Sequence, residues 1–292
     1  MGPLTQLKYR FEQFSIAEKL IVINVICFVI PLLLNTLSFL FNGPQNPILG
    51  WFELDADIRN LLYKPWTLFT YGFLHTGFFH LFMNMLLLYY SGQFFLNLLP
   101  AKTFLNTYIL GILFGGLVFL LSYTIFPAFQ NVRPYMVGAS AGVMAVFIFC
   151  CVFTPDQEIR LLFFNVKLKY LGIAFVLIDV LQIPGGNAGG HLAHLGGAGL
   201  GLWYAKNLKK GIDIGSPLEK IINSFKSLFS SQKTPLKTVY KAPSKKEAES
   251  KKEKKASNQK QIDAILDKIS TSGYDSLSDN EKEFLFRAGK DS

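Results

Sequence analysis

Charge is the commodity this sequence lacks. Residues 1–205 hold only ten Lys or Arg and eight Asp or Glu. No formal charge falls between Lys19 and Glu53, Lys64 and Lys102, Lys102 and Arg133, Arg133 and Asp156, Lys169 and Asp179, or Asp179 and Lys206. A body so poor in charge cannot cover itself with the polar surface of an ordinary water-soluble domain. Cysteine is also scarce. Cys27, Cys150 and Cys151 all sit in apolar stretches, which reads as packing rather than disulfides and says little about redox compartment. No small-residue cleavage site follows the first apolar run, and that run is too long for the core of a cleaved signal peptide.

What is present is apolar. Half of the 292 residues are hydrophobic, 28 are Phe, and the net charge of +9 is concentrated in residues 206–292, which carry nineteen basic and twelve acidic side chains. Most of the uncharged gaps can hold the ~20 apolar residues a spanning helix needs. The expected fold is all-α: a polytopic membrane protein with six transmembrane helices, near 18–41, 77–98, 103–126, 136–154, 167–184 and 189–206, plus a small cytoplasmic helical tail. The segments divide into a 1–17 cytoplasmic N-terminus, an 18–206 bundle, a 207–230 amphipathic juxtamembrane stretch, a 231–260 disordered basic linker and a 261–292 helical hairpin.

Positive charge orients the bundle. Lys8, Arg10, Lys19, Lys102, Arg160, Lys167, Lys169, Lys206, Lys209 and Lys210 fall on one side, and only Arg59, Lys64 and Arg133 on the other. Both termini are then cytoplasmic in a plasma (inner) membrane. The aromatic loop from Trp51 to Trp66 lies along the outer interface.

Polar groups within a bilayer are costly and mark function. All four histidines, His75, His80, His191 and His194, lie in or beside the apolar body. Asn84 follows His80 by one helical turn. Ser140 sits in Gly138-Ala-Ser140-Ala-Gly142, and Asn84, Ser140 and His194 fall at a common depth of roughly 6 to 10 Å below the outer surface. A serine becomes a nucleophile when an imidazole takes its proton, and the resulting oxyanion needs preset donors. The set therefore reads as a Ser140–His194 dyad, with Asp179 as a packing or interfacial residue.

Other readings compete. Gly138/Gly142, Gly197/Gly201 and Gly111/Gly115 are small-xxx-small pairs that let membrane helices approach closely. Gly-x-Ser-x-Gly also matches a nucleophile elbow, which requires a preceding strand in a parallel sheet and is rejected between membrane helices. His80, His191 and His194 form the alternative, a zinc site, though no His-Glu-x-x-His accompanies them. No metal and no cofactor is expected.

The motifs resemble the rhomboid family of intramembrane serine proteases over roughly residues 16–206. Pro65-Trp66 through His75, His80 and Asn84 is similar to that family's His-x-x-x-Asn helix with its leading Trp. Gly138-Ala-Ser140-Ala-Gly142 is similar to its Gly-x-Ser motif, and Ala193-His194-Leu-Gly196-Gly197 to its Ala-His-x-Gly-Gly motif. The resemblance implies a serine endopeptidase in which Ser140 is nucleophile and His194 base. It assigns the oxyanion to His80, Asn84, and the backbone around Gly138 and Ser140, and makes His75, Gly142, Gly197 and Gly201 structural neighbours. It further implies single-span transmembrane substrates entering past the fifth helix, where Phe175, Val176 and Ile178 are gate candidates. Thr67 stands where the family often has Arg. The alternative is a metal-binding or non-catalytic protein that recognises transmembrane helices.

In the tail, Leu218, Ile221, Ile222, Phe225, Leu228 and Phe229 share one helical face, suited to membrane lipid. The basic run lacks interleaved aromatics, so nucleic acid is not an expected partner. A turn at Ser272-Gly273 and a capping box from Ser278 to Glu281 give a hairpin that fits a cytoplasmic partner or self-association.

Overall fold

The computed structural model describes residues 2–46, 48–161, 163–218, 220, 224 and 245–290. The chain forms two compact units, Met1–Phe229 and Ser230–Ser292.

The first unit opens with α1 (Pro3–Gln13) and α2 (Ile16–Leu40). The junction is a capping box: Ser15 Oγ accepts the Glu18 N–H at 3.2 Å, and the Glu18 carboxylate accepts the Ser15 N–H at 2.7 Å, so two orphan donors of α2 are satisfied at once. After α3 (Leu49–Phe52), β1 (Leu54–Asp55) and α4 (Thr67–Thr70) come α5 (Phe78–Leu98) and α6 (Ala101–Ile125). Then follow β2 (Tyr135–Met136), α7 (Ser140–Phe153), β3 (Glu158–Leu161), β4 (Phe164–Lys167), α8 (Leu168–Gln182) and α9 (Ala188–Leu208).

Helix α7 is the centre: every residue from Ala141 to Cys151 is buried. Small residues explain how it is enclosed. A Cβ built on Gly111 or Gly115 of α6 would stand 2.4 Å from the Cβ of Ala145 or Ala141, and one on Gly197 or Gly201 of α9 would stand 2.0 or 2.2 Å from their carbonyl oxygens. Backbones in such contact gain dispersion where apolar lipid offers no hydrophobic drive. By contrast α8 buries only Leu168, Gly172 and Asp179, and α2 only Ala17, Leu20 and Asn24, so both present apolar faces outward. The Asn24 amide nitrogen donates inside the bundle to the Leu20 carbonyl at 2.8 Å and to Tyr108 Oη at 3.3 Å, while its buried Oδ1 has no partner.

Among the described residues three helices are long and apolar enough to cross a membrane: α2, α6 and α8 extended to Gly185. The chain is an integral membrane protein. Helices α5, α7 and α9 fall short for a chemical reason. Helix α7 has 14 residues, about 21 Å at 1.5 Å per residue. Helix α5 is diluted by His80, Asn84, Gln93 and Asn97, and α9 by two histidines and its glycines. These are the helices that carry the candidate site.

Three departures from the sequence reading are informative. The fold is mostly helical but not purely so, because β1 pairs with β2 and β3 with β4 in antiparallel ladders; two-residue and four-residue strands leave almost no periodic signal. Helix α7 begins at Ser140 rather than near 136, because Tyr135–Met136 is held by β1 and Gly138 has a φ of +139°. Residues 245–260, expected as disordered linker, belong to a helix, α10 (Lys245–Ser272); their Lys, Glu, Ala and Gln are strong helix formers. Residues 231–244, and Ile221, Ile222, Phe225, Leu228 and Phe229 of the expected amphipathic face, lie outside the described residues.

In the second unit α10 turns at Gly273 into α11 (Asp279–Lys290). Glu281 accepts the Ser278 N–H at 2.8 Å and the Lys268 ammonium at 3.0 Å. Ile265 and Leu277 are buried.

Candidate active site

Helix α5 supplies His80 near its start, with Nδ1 3.2 Å from Thr76 Oγ1. Opposite it, the segment leading into α7 is pinned by Tyr71, whose carbonyl accepts the Gly138 N–H at 3.0 Å and whose hydroxyl donates to Ile112 O at 2.6 Å. Gly138 must be glycine twice over. Its φ is +139°, and a Cβ there would stand 3.0 Å from His80 Cε1 and 3.4 Å from Ser140 Oγ, so this backbone fills the gap between imidazole and hydroxyl.

Ser140 is the first residue of α7, and the Ala139 before it offers no side-chain cap. The first N–H groups of a helix have no intrahelical partner and carry its positive dipole end. Ser140 and Ala141 line a cavity of about 350 Å³ together with His80, Gly138 and His194. A second cavity of about 570 Å³ opens between α5 and α8 and shares Ser140, His80 and His194. Non-helical backbone at membrane depth is tolerated where it lines such a cavity.

Helix α9 presents His191 and His194 one turn apart. Nδ1 of each lies 2.8 Å from the same oxygen, Oδ1 of Asp179. This corrects the reading of Asp179 as a packing or interfacial residue. Asp179 is 6% exposed, turned inward because α8 leans on α7 through Gly172 against Cys151 and Phe175 against Phe147, with ring centroids 4.9 Å apart. An ionised carboxylate only accepts, so both Nδ1 atoms donate and each neutral ring keeps its lone pair on Nε2.

The remaining candidates are placed as follows. Asn84 lines the larger cavity only, and its amide donates to the His80 carbonyl at 2.9 Å. The His75 ring is buried with its centroid 5.1 Å from that of His80. Gly142 faces Tyr108, and Gly197 and Gly201 face Ala141 and Ala145. Phe175 and Ile178 line the larger cavity, whereas Val176 packs against the cluster of Met144, Phe147 and Ala198. Sequence reasoning missed Tyr71 and Thr76, which carry no motif. Among the described residues the cluster with metal-ligand geometry is Asp179, His191 and His194, not the alternative trio that includes His80.

Fold and site together define an integral membrane protein that gathers Ser, His and Asp side chains in a half-buried cavity. Residues 63–210 match the rhomboid domain model, and the chain belongs to the rhomboid family. It is 30% identical over 137 residues to presenilin-associated rhomboid-like protein A, mitochondrial, of Danio rerio, covering 46% of this chain and 35% of that protein. It is 30% identical over 148 residues to presenilin-associated rhomboid-like protein, mitochondrial, of Mus musculus, covering 49% and 38%. It is 29% identical over 157 residues to RHOMBOID-like protein 12, mitochondrial, of Arabidopsis thaliana, covering 50% and 47%. The chain thus spans less than half the length of these curated relatives. Residues 249–290 match a family of unknown function, DUF6576.

Proposed function

We propose that this protein is an intramembrane serine endopeptidase that hydrolyses peptide bonds in or next to transmembrane helices. One observation carries the reading: Ser140 at the open N-terminus of α7 shares both cavities with His194, whose Nδ1 is held by Asp179 at 2.8 Å.

The chemistry follows from these placements. With its Nδ1–H donated to Asp179, His194 offers Nε2 as the base for the Ser140 hydroxyl proton, and then returns that proton to the leaving amine. The tetrahedral oxyanion meets the first N–H groups of α7 and the His80 imidazole, which donates from Nε2 in the tautomer whose Nδ1 accepts from the Thr76 hydroxyl. Asn84 sits a turn deeper and supports His80 through its carbonyl. The 350 Å³ cavity leaves room for the hydrolytic water.

The larger cavity suits a substrate that is itself a transmembrane helix, entering between α5 and α8 past Phe175 and Ile178. A fully hydrogen-bonded helix must unwind before a serine can attack, so helix-breaking residues favour cleavage. With α5, α7 and α9 completing six spans, the Lys/Arg bias of the loops favours both termini on the cytoplasmic face of a plasma (inner) membrane and the cavity toward the opposite side. The names of the relatives favour a second reading, an organelle membrane, and fractionation of the expressed chain separates the two. The C-terminal hairpin would serve a cytoplasmic partner or self-association.

The test is labelling by a fluorophosphonate probe, with cleavage of a single-span substrate in detergent. Loss of both in Ser140→Ala, and of cleavage in His194→Ala, is expected. Cleavage that survives either change overturns the assignment, and an unlabelled wild type favours a non-catalytic binder of transmembrane helices.

A further inference from the structure

Asp179 meets two histidines where catalysis needs one. His191, His194 and Asp179 each offer one ligand atom, and the three lie within 4.8 Å of one another, while His191 takes no part in the chemistry derived above. We propose that Asp179, His191 and His194 form a binding site for a divalent transition-metal ion of the zinc class, and that its occupation switches the enzyme off. The site stands on geometry alone; the switch rests on the protease reading.

Two imidazoles and one carboxylate, with a fourth position left for water, are the donor set zinc takes in open sites. Magnesium and calcium prefer all-oxygen shells, so they are poor competitors. The two histidines are three residues apart on α9, and the carboxylate arrives from α8. Each Nδ1 to Oδ1 distance is 2.8 Å; tetrahedral bonds of about 2.0 to 2.1 Å place such atoms roughly 3.3 Å apart, which small side-chain rotations achieve. Access exists, since Asp179 and His194 both line the 570 Å³ cavity. His80 lies outside the group and is engaged with Thr76.

Inhibition follows from the tautomer. In the free enzyme Asp179 holds the proton on Nδ1 of His194 and leaves Nε2 as a base. A metal on Nδ1 takes that lone pair, so the ring proton moves to Nε2 through water, and the nitrogen left for Ser140 becomes a donor. No proton is lost from the ring, yet it can no longer accept one.

The test uses the full-length chain in detergent, stripped of metal, as Ser140→Ala to prevent self-cleavage. Titration calorimetry with zinc chloride is expected to give one ion per chain, with affinity falling about tenfold or more when His191→Gln is added. Cobalt substitution needs no further variant, and should give a tetrahedral d–d band without a thiolate band. Wild-type cleavage should fall with the same zinc midpoint and return on chelation, and the midpoint should move by the same factor in His191→Gln. Absence of binding, a thiolate band, or unchanged affinity in His191→Gln overturns the site. Binding without loss of cleavage overturns the switch. A chain that binds zinc at these residues but labels with no probe and cleaves nothing keeps the site and overturns the protease reading instead.

Discussion

Gly197 passes Ala141 so closely that a Cβ on it would stand 2.0 Å from the Ala141 carbonyl oxygen. This contact joins the helix that carries His194 to the first turn of the helix that carries Ser140. Its neighbour Gly199 has nothing within 4 Å of the same construction. Gly197→Ala must therefore push α9 from α7, at a cost of about 1 to 3 kcal/mol for overpacking, and separate the two site residues. Thermal unfolding in detergent should show a lowered midpoint, and cleavage should be lost. Gly199→Ala should be neutral or slightly stabilising; equal effects of the two changes would contradict a contact-specific role.

Thr67 occupies the position where arginine is frequent among rhomboids, and the loop has another means of support. Thr67 is 4% exposed, and its Oγ1 donates to the Lys64 carbonyl at 2.7 Å. Lys64 in turn donates to Gly50 O at 2.7 Å and lies 4.9 Å from the Trp51 ring centroid, while Trp66 Nε1 donates to Trp51 O at 2.7 Å. Thr67→Val keeps the shape and removes the hydroxyl's hydrogen bond, leaving the Lys64 carbonyl only the Thr67 N–H at 3.0 Å, so it should cost about 1 kcal/mol. A lowered unfolding midpoint with kcat unchanged is the expected result, and Thr67→Ser should restore the midpoint.

The parts of this molecule that were legible in the sequence are those written in composition. The apolar runs of α2, α6 and α8 stand out because a bilayer demands them, and His80 and Asn84 share a helix face because they are four residues apart. The approach to Ser140 was not legible, because β2 has two residues and its partner β1 lies eighty residues earlier. Asp179 was visible as the lone acid between Lys169 and Lys206. Its inward direction was not, since that depends on how Gly172 seats α8 against Cys151. Residues 245–260 misled because Lys, Glu and Ser suit a solvated coil as well as a helix.

Glu281 ties the C-terminal hairpin to pH. The Ser278 N–H, the Lys268 ammonium and the Ser278 hydroxyl hold its carboxyl down at about 2. A group whose acidity is raised by folding stabilises the fold above its unfolded value of 4.5, and that contribution is lost as pH falls through the folded one. Circular dichroism of the full chain from pH 6 to pH 2 should show helix lost below about 4.5 in the wild type, relative to Glu281→Gln, which has no such carboxyl to protonate. Coincident curves would remove Glu281 from the hairpin's stability.

Asp179 decides whether His194 works alone. It reaches Nδ1 at 2.8 Å and touches no reacting atom, so it is a positioning residue. In Asp179→Asn the amide can donate as well as accept, which permits the tautomer with its proton on Nε2, where the base must be free. For the soluble triad the same change lowers kcat by about 10⁴, and a loss of about 10² or more is expected here. The substrate groove is left intact, so KM should stay within about twofold of wild type. Fluorophosphonate labelling of Ser140 should slow in proportion to kcat, and Asp179→Glu should recover part of it. A fall in unfolding midpoint with kcat preserved would reduce Asp179 to a structural tie between α8 and α9.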